Sequence, residues 1–565
     1  MSDYYIKGDF DLSVLGSFYS KEKTIFRVYA PENKGINLVI YNKRYPMHRK
    51  SKYFEIALGG DLQFTRYCYE NENGVKFRDP FAYLSEEYNS IVMDANRFKY
   101  DVIKLEPYNY PVIYELNIRD FSSDFSYCGK YKKKFLSLTE EGLMVSGETC
   151  GLDYLKELGI THVQLMPVFD FDNDNADYNW GYNPLAYNYV KKYYVYDENN
   201  PYAYISELRK AVNALHSKGL RVVLDVVFNH VYDYTKFDLE KMLPGHVFRR
   251  KQDGSLANGT MCGNEIKSED PFVREYIIEM VRRYVRLFDI DGVRLDLMGI
   301  LDFETVNELS FELKKIKDDF LVYGEGWNMG DVLEFDYRAS LFNAYKMNKI
   351  MMFNDFFRDT IAKFVCGNNL IIDDVKAAIS GNCNSLAYYQ SINYVECHDN
   401  ITFYDRLLKY KAQDSEETKI KRAKLALGIV MLSRGIPFIH AGQEFLRTKN
   451  INENSYNAGD NINRIEWSRR VQYKEIVNYF KALVVLRNKL KEIHEANVYM
   501  VFKQYDDCLI YQLNDISVFI NPTENDKEYE DRHSYEMVFD EETKDGYEIK
   551  TIKIPAYSII VVKTM

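Results

Sequence analysis

The chain has no uninterrupted run of about 18 apolar residues, so no membrane-spanning helix is expected. It has no surplus of positive charge either. Lys and Arg number 73 against 84 Asp and Glu, a formal net charge of −11 that suits a phosphate backbone poorly. Neither nucleic acid nor membrane is therefore an expected partner. None of the eight cysteines (Cys68, Cys128, Cys150, Cys262, Cys366, Cys383, Cys397, Cys508) forms a C-x-x-C pair, which disfavours zinc. Scattered along a long chain, they read as reduced thiols, several of them core fillers, in a reducing compartment. The N-terminal MSDYYIKGDFDLS lacks a basic segment followed by an apolar run, so no secretory signal is read and a cytoplasmic location is expected.

What is present points to a large globular protein. The 565 residues suggest about three or four domains, and 46% hydrophobic with 28% charged residues is ordinary globular composition. The 49 Tyr and 34 Phe fit either core packing or stacking on sugar or base faces, and composition alone does not choose between these. Residues 1–105 carry short alternating runs, such as Thr24–Tyr29 and Ile36–Tyr41, separated by Pro31 and Gly35. This pattern predicts a β-sandwich. From about residue 110 strand-length apolar runs alternate with helical periodicity. Strands are expected at 112–116, 162–167, 221–228, 293–296, 320–324, 350–353, 392–396 and 438–441. Eight strands in β-then-α order favour a (β/α)8 TIM barrel over residues 106–492. The rival, an open doubly wound sheet, would usually show G-x-G-x-x-G after its first strand, and none occurs there. The connection 231–268 is long for one βα loop and is expected to be functional. Residues 493–565 return to alternation and predict a C-terminal β-sandwich. The expected fold is thus multidomain, β, α/β and β in order.

Catalytic groups of such a barrel sit at the C-terminal ends of its strands. Those ends carry Asn229 and His230, then Arg294 and Asp296, then Glu325 and Trp327, then Glu396, His398, Asp399 and Asn400. Singly, each is more often a helix cap or a structural hydrogen bonder. Together, the carboxylates Asp296, Glu325 and Asp399 with two histidines and an arginine on one rim are costly to hold without a use. Paired carboxylates suit glycosidic bond cleavage, one attacking and the other protonating the leaving oxygen. A metal site competes for the same atoms, but no H-x-x-x-H or H-x-H pair is present.

Four stretches, Asp225-Val226-Val227-Phe228-Asn229-His230, Gly292-Val293-Arg294-Leu295-Asp296, Gly324-Glu325-Gly326-Trp327 and Glu396-Cys397-His398-Asp399-Asn400, resemble in order the motifs of the α-amylase family of glycoside hydrolases, family 13. The stretches Tyr178-Asn179-Trp180-Gly181-Tyr182-Asn183-Pro184 and Tyr114–Phe121, with Gly435–Leu446 and Asn454–Asp460, are similar to the type I pullulanase subgroup. Residues Leu15–Ser20 and Phe26–Pro31 resemble a family 48 carbohydrate-binding module. Asn183 stands where the subgroup usually has Asp, and Val293 and Leu295 replace bulkier neighbours, without removing a catalytic group.

The resemblance implies a retaining hydrolase of α-1,6-glucosidic branch linkages in pullulan, glycogen, amylopectin and limit dextrins. It implies Asp296 as nucleophile, Glu325 as general acid/base, and Asp399 as the group that binds sugar hydroxyls and stabilises the oxocarbenium-like transition state. His230 and His398 would donate to the same ring, and Asn400 is counted with the substrate-binding residues. Tyr182 would stack under the sugar, and Trp327 would offer a face on the leaving-group side. Arg294, two residues before Asp296 on a strand, points to the same side and can keep it ionised. It is also placed among the substrate-binding residues. Asp225, deeper in the barrel, reads as structural. The alternative is an α-1,4-acting or transferring relative such as neopullulanase or branching enzyme, and a more remote one is a non-catalytic glucan-binding protein. The expected partner is an α-glucan. No cofactor is expected to be required, and calcium is possible but not indicated.

Overall fold

The computed structural model describes residues 11–108, 110–368, 371–381, 385–540 and 546–565. The first ten residues and Cys383 lie outside these. Residues from Gly16 to Ile91 form two antiparallel sheets, one ordered Gly16–Tyr19, Lys23–Tyr29, Tyr53–Gly59, His48–Lys50. The other runs Lys43–Pro46, Ile36–Ile40, Arg66–Asn71, Asn89–Ile91, Ser85–Glu86, with Lys76–Phe77 beside it. Alternation decides the inner face: Thr24, Phe26 and Val28 are buried along Lys23–Tyr29. Tyr29 stacks on Phe272 of a barrel helix at 4.6 Å, and the buried residues of sandwich and barrel belong to one continuous cluster.

The barrel closes through eight parallel strands: β1 Ile113–Leu116, β2 His162–Leu165, β3 Arg221–Val226, β4 Gly292–Leu295, β5 Leu321–Gly324, β6 Met351–Phe353, β7 Ser391–Asn393 and β8 Ile436–His440. Strand β1 pairs with both β2 and β8, which seals the ring. Helices such as Ala203–Ser217, Pro271–Phe288, Phe303–Lys314 and Glu416–Leu432 form the outer layer. Pro271 at the first helical turn and the Asp270 side chain, which accepts from the Phe272 and Val273 amides, start the second of these. The helix Asp355–Val365 is missing from the sequence reading, although Asn354 caps it and Phe357, Ile361 and Phe364 recur at helical spacing.

Strand β3 stops at Val226 and β7 at Asn393, earlier than the sequence suggests. The chain leaves the ladder there because it has other partners. His230–Val231 pairs instead with Asn264–Glu265, inside the long 231–268 connection. That connection also holds a helix, Asp238–Met242, whose Asp238 pairs with Arg78 of the sandwich at 2.7 Å. The loop therefore props the sandwich against the barrel. The C-terminal region is a six-stranded antiparallel sheet with a register break in Lys527–Phe539. One face, including Leu509, Tyr511, Val518 and Val561, joins the main core. The other face buries Ile510, Phe519, Met537 and Val562 as a core of its own. Among the described residues no helix is long and apolar enough to cross a membrane.

Candidate active site

Inward-facing residues recur every second position along a barrel strand. Low in the barrel these are Ile113, Val223, Tyr323, Met351, Ile392 and Phe438, a buried apolar cluster. One step nearer the C-terminal rim the same faces carry Glu115, Gln164, Asp225 and Arg294, all buried. Arg294 is the hub. Its Nη1 reaches Asp225 Oδ1 at 2.9 Å and Asp296 Oδ1 at 2.8 Å, and its Nη2 reaches Glu325 Oε1 at 2.5 Å. One guanidinium thus holds three carboxyl groups, one in β3 and two just past the ends of β4 and β5. Arg294, expected among the sugar-binding residues, is 1% exposed and fixes the carboxylates from behind. The Leu297 amide donates to Glu325 Oε2 at 3.0 Å. Leu297 adopts a left-handed conformation, φ 39°, which bulky residues rarely take, and so links the residue after Asp296 to Glu325.

Asp296 is held on its other side by Asn229, whose Nδ2 donates to Asp296 Oδ2 at 2.8 Å. The Asn229 amide is thereby oriented, leaving its Oδ1 to accept from His230 Nδ1 at 2.5 Å. The other His230 nitrogen faces the Tyr182 carbonyl at 3.1 Å. His230 thus has protein acceptors at both ring nitrogens, although the resemblance assigns it to the sugar. It braces Asn229 and the Tyr182 backbone. Tyr182 donates to Asp225 Oδ2 at 2.7 Å and stacks on His398 with ring centroids 5.0 Å apart. Asp225 is fully buried beneath Tyr182 and Arg294, a structural position. Asp399 lies on the open side, 3.6 Å from His398 Nε2, and Asn400 beside it is exposed. Trp327 donates to Asp355 Oδ2 at 2.9 Å, which fixes its half-buried ring at the rim. Asn183, where the subgroup has Asp, accepts the Asp172 amide through its carbonyl.

Two residues given no role from the sequence complete the arrangement. Glu115 accepts from the His398 amide at 2.8 Å and pairs with His398 Nδ1 at 2.7 Å. It is itself fixed by Gln164, which accepts from the Tyr323 hydroxyl. Lys449, 1% exposed, donates to the His398 carbonyl at 2.5 Å and sits over the Trp180 ring. The only sequence signal for Glu115 is its position two residues beyond Ile113 on the inward face of β1.

Burial drives the Glu325 carboxyl up to about 8, with the charges of Asp296 and Asp399 adding to it and Arg294 opposing. Glu325 is thus proton-loaded near neutral pH. Burial likewise raises Asp225 to about 6. For His398 burial works downward, but Glu115 and Asp399 outweigh it and lift the imidazole to about 9, so it is a cation. Burial pushes His230 down, against the charge of Asp296 and the Tyr182 carbonyl, which favour its cation. The site therefore offers a carboxylate clamped on a guanidinium beside a protonated carboxyl group, with a cationic donor and a further carboxylate at its open edge. Such an arrangement suits acid-assisted nucleophilic chemistry of the kind that cleaves a glycosidic bond.

The acidic run Asp170-Phe171-Asp172-Asn173-Asp174 has alternating spacing reminiscent of a calcium loop, and the expectation that calcium is not indicated overlooks it. Its side chains take separate partners: Asp170 faces Lys191, Asp172 accepts the Asp174 amide, and Asp174 accepts from Tyr232 and Tyr456. Among the described residues no three His, Cys, Asp or Glu side chains converge as a metal site.

The α-amylase catalytic-domain family matches residues 140–242 and 259–479. A pullulanase of Bacillus subtilis strain 168 is 37% identical over 521 residues, covering 86% of this chain and 72% of that protein. This chain belongs to the pullulanases of the α-amylase family. As a pullulanase-type chain it is a glycosidase. Its fold matches that of the Anoxybacillus pullulanase solved with maltotetraose at a TM-score of 0.92 and 32% identity, over 98% of this chain and 88% of that one. The chloroplastic pullulanase 1 of Arabidopsis thaliana is 31% identical over 63% of this chain, which spans only 47% of that longer pullulanase.

Proposed function

We propose that this pullulanase-type chain hydrolyses α-1,6-glucosidic branch linkages in pullulan, glycogen, amylopectin and limit dextrins with retention of configuration. The observation that carries the mechanism is the pair Asp296 and Glu325 on neighbouring nitrogens of Arg294. A retaining pair needs carboxyl groups about 5–5.5 Å apart, and a shared guanidinium favours such closeness over the wider gap that admits a water. Asp296 attacks the anomeric carbon while Glu325 gives its proton to the departing glycosidic oxygen. The resulting glycosyl ester on Asp296 is opened by a water that returns a proton to Glu325. Asp399 and the His398 cation hold the hydroxyls of the flattening ring, and Tyr182 and Trp327 supply ring faces. No cofactor or metal enters these steps.

A cytoplasmic setting is part of the proposal, supported by the described cysteines, all of which are unpaired. Product analysis on pullulan tests the linkage. Maltotriose as the released product supports α-1,6 cleavage, panose would move the chain to the α-1,4-acting relatives, and no product at all would leave the glucan-binding reading.

A further inference from the structure

The loop that carries Glu325 and Trp327 continues into an exposed aromatic surface that the catalytic steps do not use. Within residues 335–345 four rings stand open: Phe335 is 45% exposed, Tyr337 49%, Phe342 58% and Tyr345 75%. Isolated exposed apolar side chains are ordinary, but a contiguous group marks an interaction site. These rings are not isolated: they gather in two groups on one short segment. Phe335 and Phe342 have centroids 5.5 Å apart, and Tyr337 lies parallel to Phe303 at 6.3 Å. Lys346 Nζ sits over both Phe303 and Tyr345. Asn343 Nδ2 donates to the carbonyls of Phe335 and Arg338 and locks the two short helical turns together.

The surface is anchored to the catalytic rim. The Leu341 amide donates to the Gly326 carbonyl at 2.7 Å, directly after Glu325. Arg338 donates to Asn328 Oδ1 at 3.0 Å, directly after Trp327. The charges beside the rings are mixed, with Asp331, Glu334 and Asp336 against Arg338 and Lys346, so the basic rim of an anionic-membrane site is absent here. Sugar rings of an α-glucan present apolar C–H faces edged by hydroxyls, which suit such amphipathic rings.

We propose that the surface formed by Phe335, Tyr337, Phe342 and Tyr345 binds a second outer chain of the branched glucan whose linkage sits between Asp296 and Glu325. This rests on the debranching reading above. A branched polymer already held at the cleft has neighbouring chains tethered close to the same loop, so modest stacking gains from high effective concentration. The surface would thus favour large branched polymers over short oligosaccharides and leave the chemical step untouched.

The test compares wild type with Phe342→Ser/Tyr345→Ser on amylopectin and on a short singly branched maltooligosaccharide, with retardation in glycogen-containing gels as a binding readout. The expected result is a rise of about tenfold in KM for amylopectin and weaker retardation by glycogen, with kcat and KM on the short substrate unchanged. Unchanged KM and retardation would overturn the proposal. So would equal losses on both substrates, or a variant that only loses self-association on size-exclusion chromatography. A wild type that is retarded by glycogen through these residues, yet cleaves no α-1,6 linkage, would remove the debranching reading and spare the glucan surface.

Discussion

Ile113 and Glu115 in β1, and Val223 and Asp225 in β3, stand two residues apart, as do Tyr323 of β5 and Glu325 just past its end, and each pair points toward the barrel axis. The lower members fill an apolar floor, while the upper members form a buried ionic layer. Identical backbone geometry thus carries two kinds of interior. The floor stabilises by packing and apolar burial. The rim concentrates carboxylates on a desolvated arginine, an arrangement that well-packed apolar residues could replace at little or no loss of stability. On the proposed mechanism the rim serves chemistry and the floor stability, so substitutions in the two layers should have opposite signatures.

The largest effect on activity is expected at Glu325. Glu325→Gln should lower kcat on pullulan by about 10³-fold or more and abolish the basic limb of the pH profile, which in wild type falls as pH rises through about 8. The fold favours the protonated form of Glu325, so the stability it contributes is full below the ordinary carboxyl value of 4.5 and lost as pH rises through about 8. Glutamine removes that loss. The variant should accordingly melt no lower than wild type at pH 8.5, and a clear drop in Tm there would show that this rim residue also serves stability.

Asp399→Asn keeps the shape and removes the charge at the open edge. Turnover should fall roughly 10²-fold while glucan affinity, measured by titration, changes much less. Equal losses in affinity and kcat/KM with unchanged kcat would make Asp399 a ground-state binder.

Glu115→Gln is milder. The neutral amide still fills the space under His398 but no longer favours its cation, so the His398 titration, followed by NMR, should move down from about 9. Turnover should fall about tenfold, the order expected for weakening one charged hydrogen bond. An unmoved His398 titration would mean that Asp399 alone sets its charge.

Ile113→Ala should act least on turnover at 25 °C and most on stability, with a loss of about 3 kcal/mol in denaturant unfolding. If kcat fell as steeply as stability, the floor and rim would be coupled mechanically.

Much of this contrast was legible in the sequence. Strand-length apolar runs alternating with helical periodicity suggested the barrel, and the polar strand ends pointed to the rim. The carboxylates Asp296, Glu325 and Asp399 stood out because carboxylates at strand ends are chemically conspicuous. What escaped was partnership across distance. Glu115 and His398 are 283 residues apart and meet only when β1 closes against β8. Burial was equally hidden: the alternation aims Arg294 inward but does not reveal that three carboxyl groups cover it. His230 shows the same limit, since its neighbours Asn229 and the Tyr182 carbonyl come from different loops. The sequence could list donors but not which of them the protein itself would engage.

The Tyr29–Phe272 stack and the Arg78–Asp238 pair tie the N-terminal sandwich to the barrel, and their consequence reaches beyond the site. Modules that are separable on a linear map share a core here, so they are not interchangeable parts. Excising the sandwich would uncover Phe272 and Tyr276, both now buried, and strip the support from the loop that returns to the catalytic rim through His230–Val231 and Asn264–Glu265. In a calorimeter the two should melt as a single transition, and a shortened barrel should aggregate before it can be assayed.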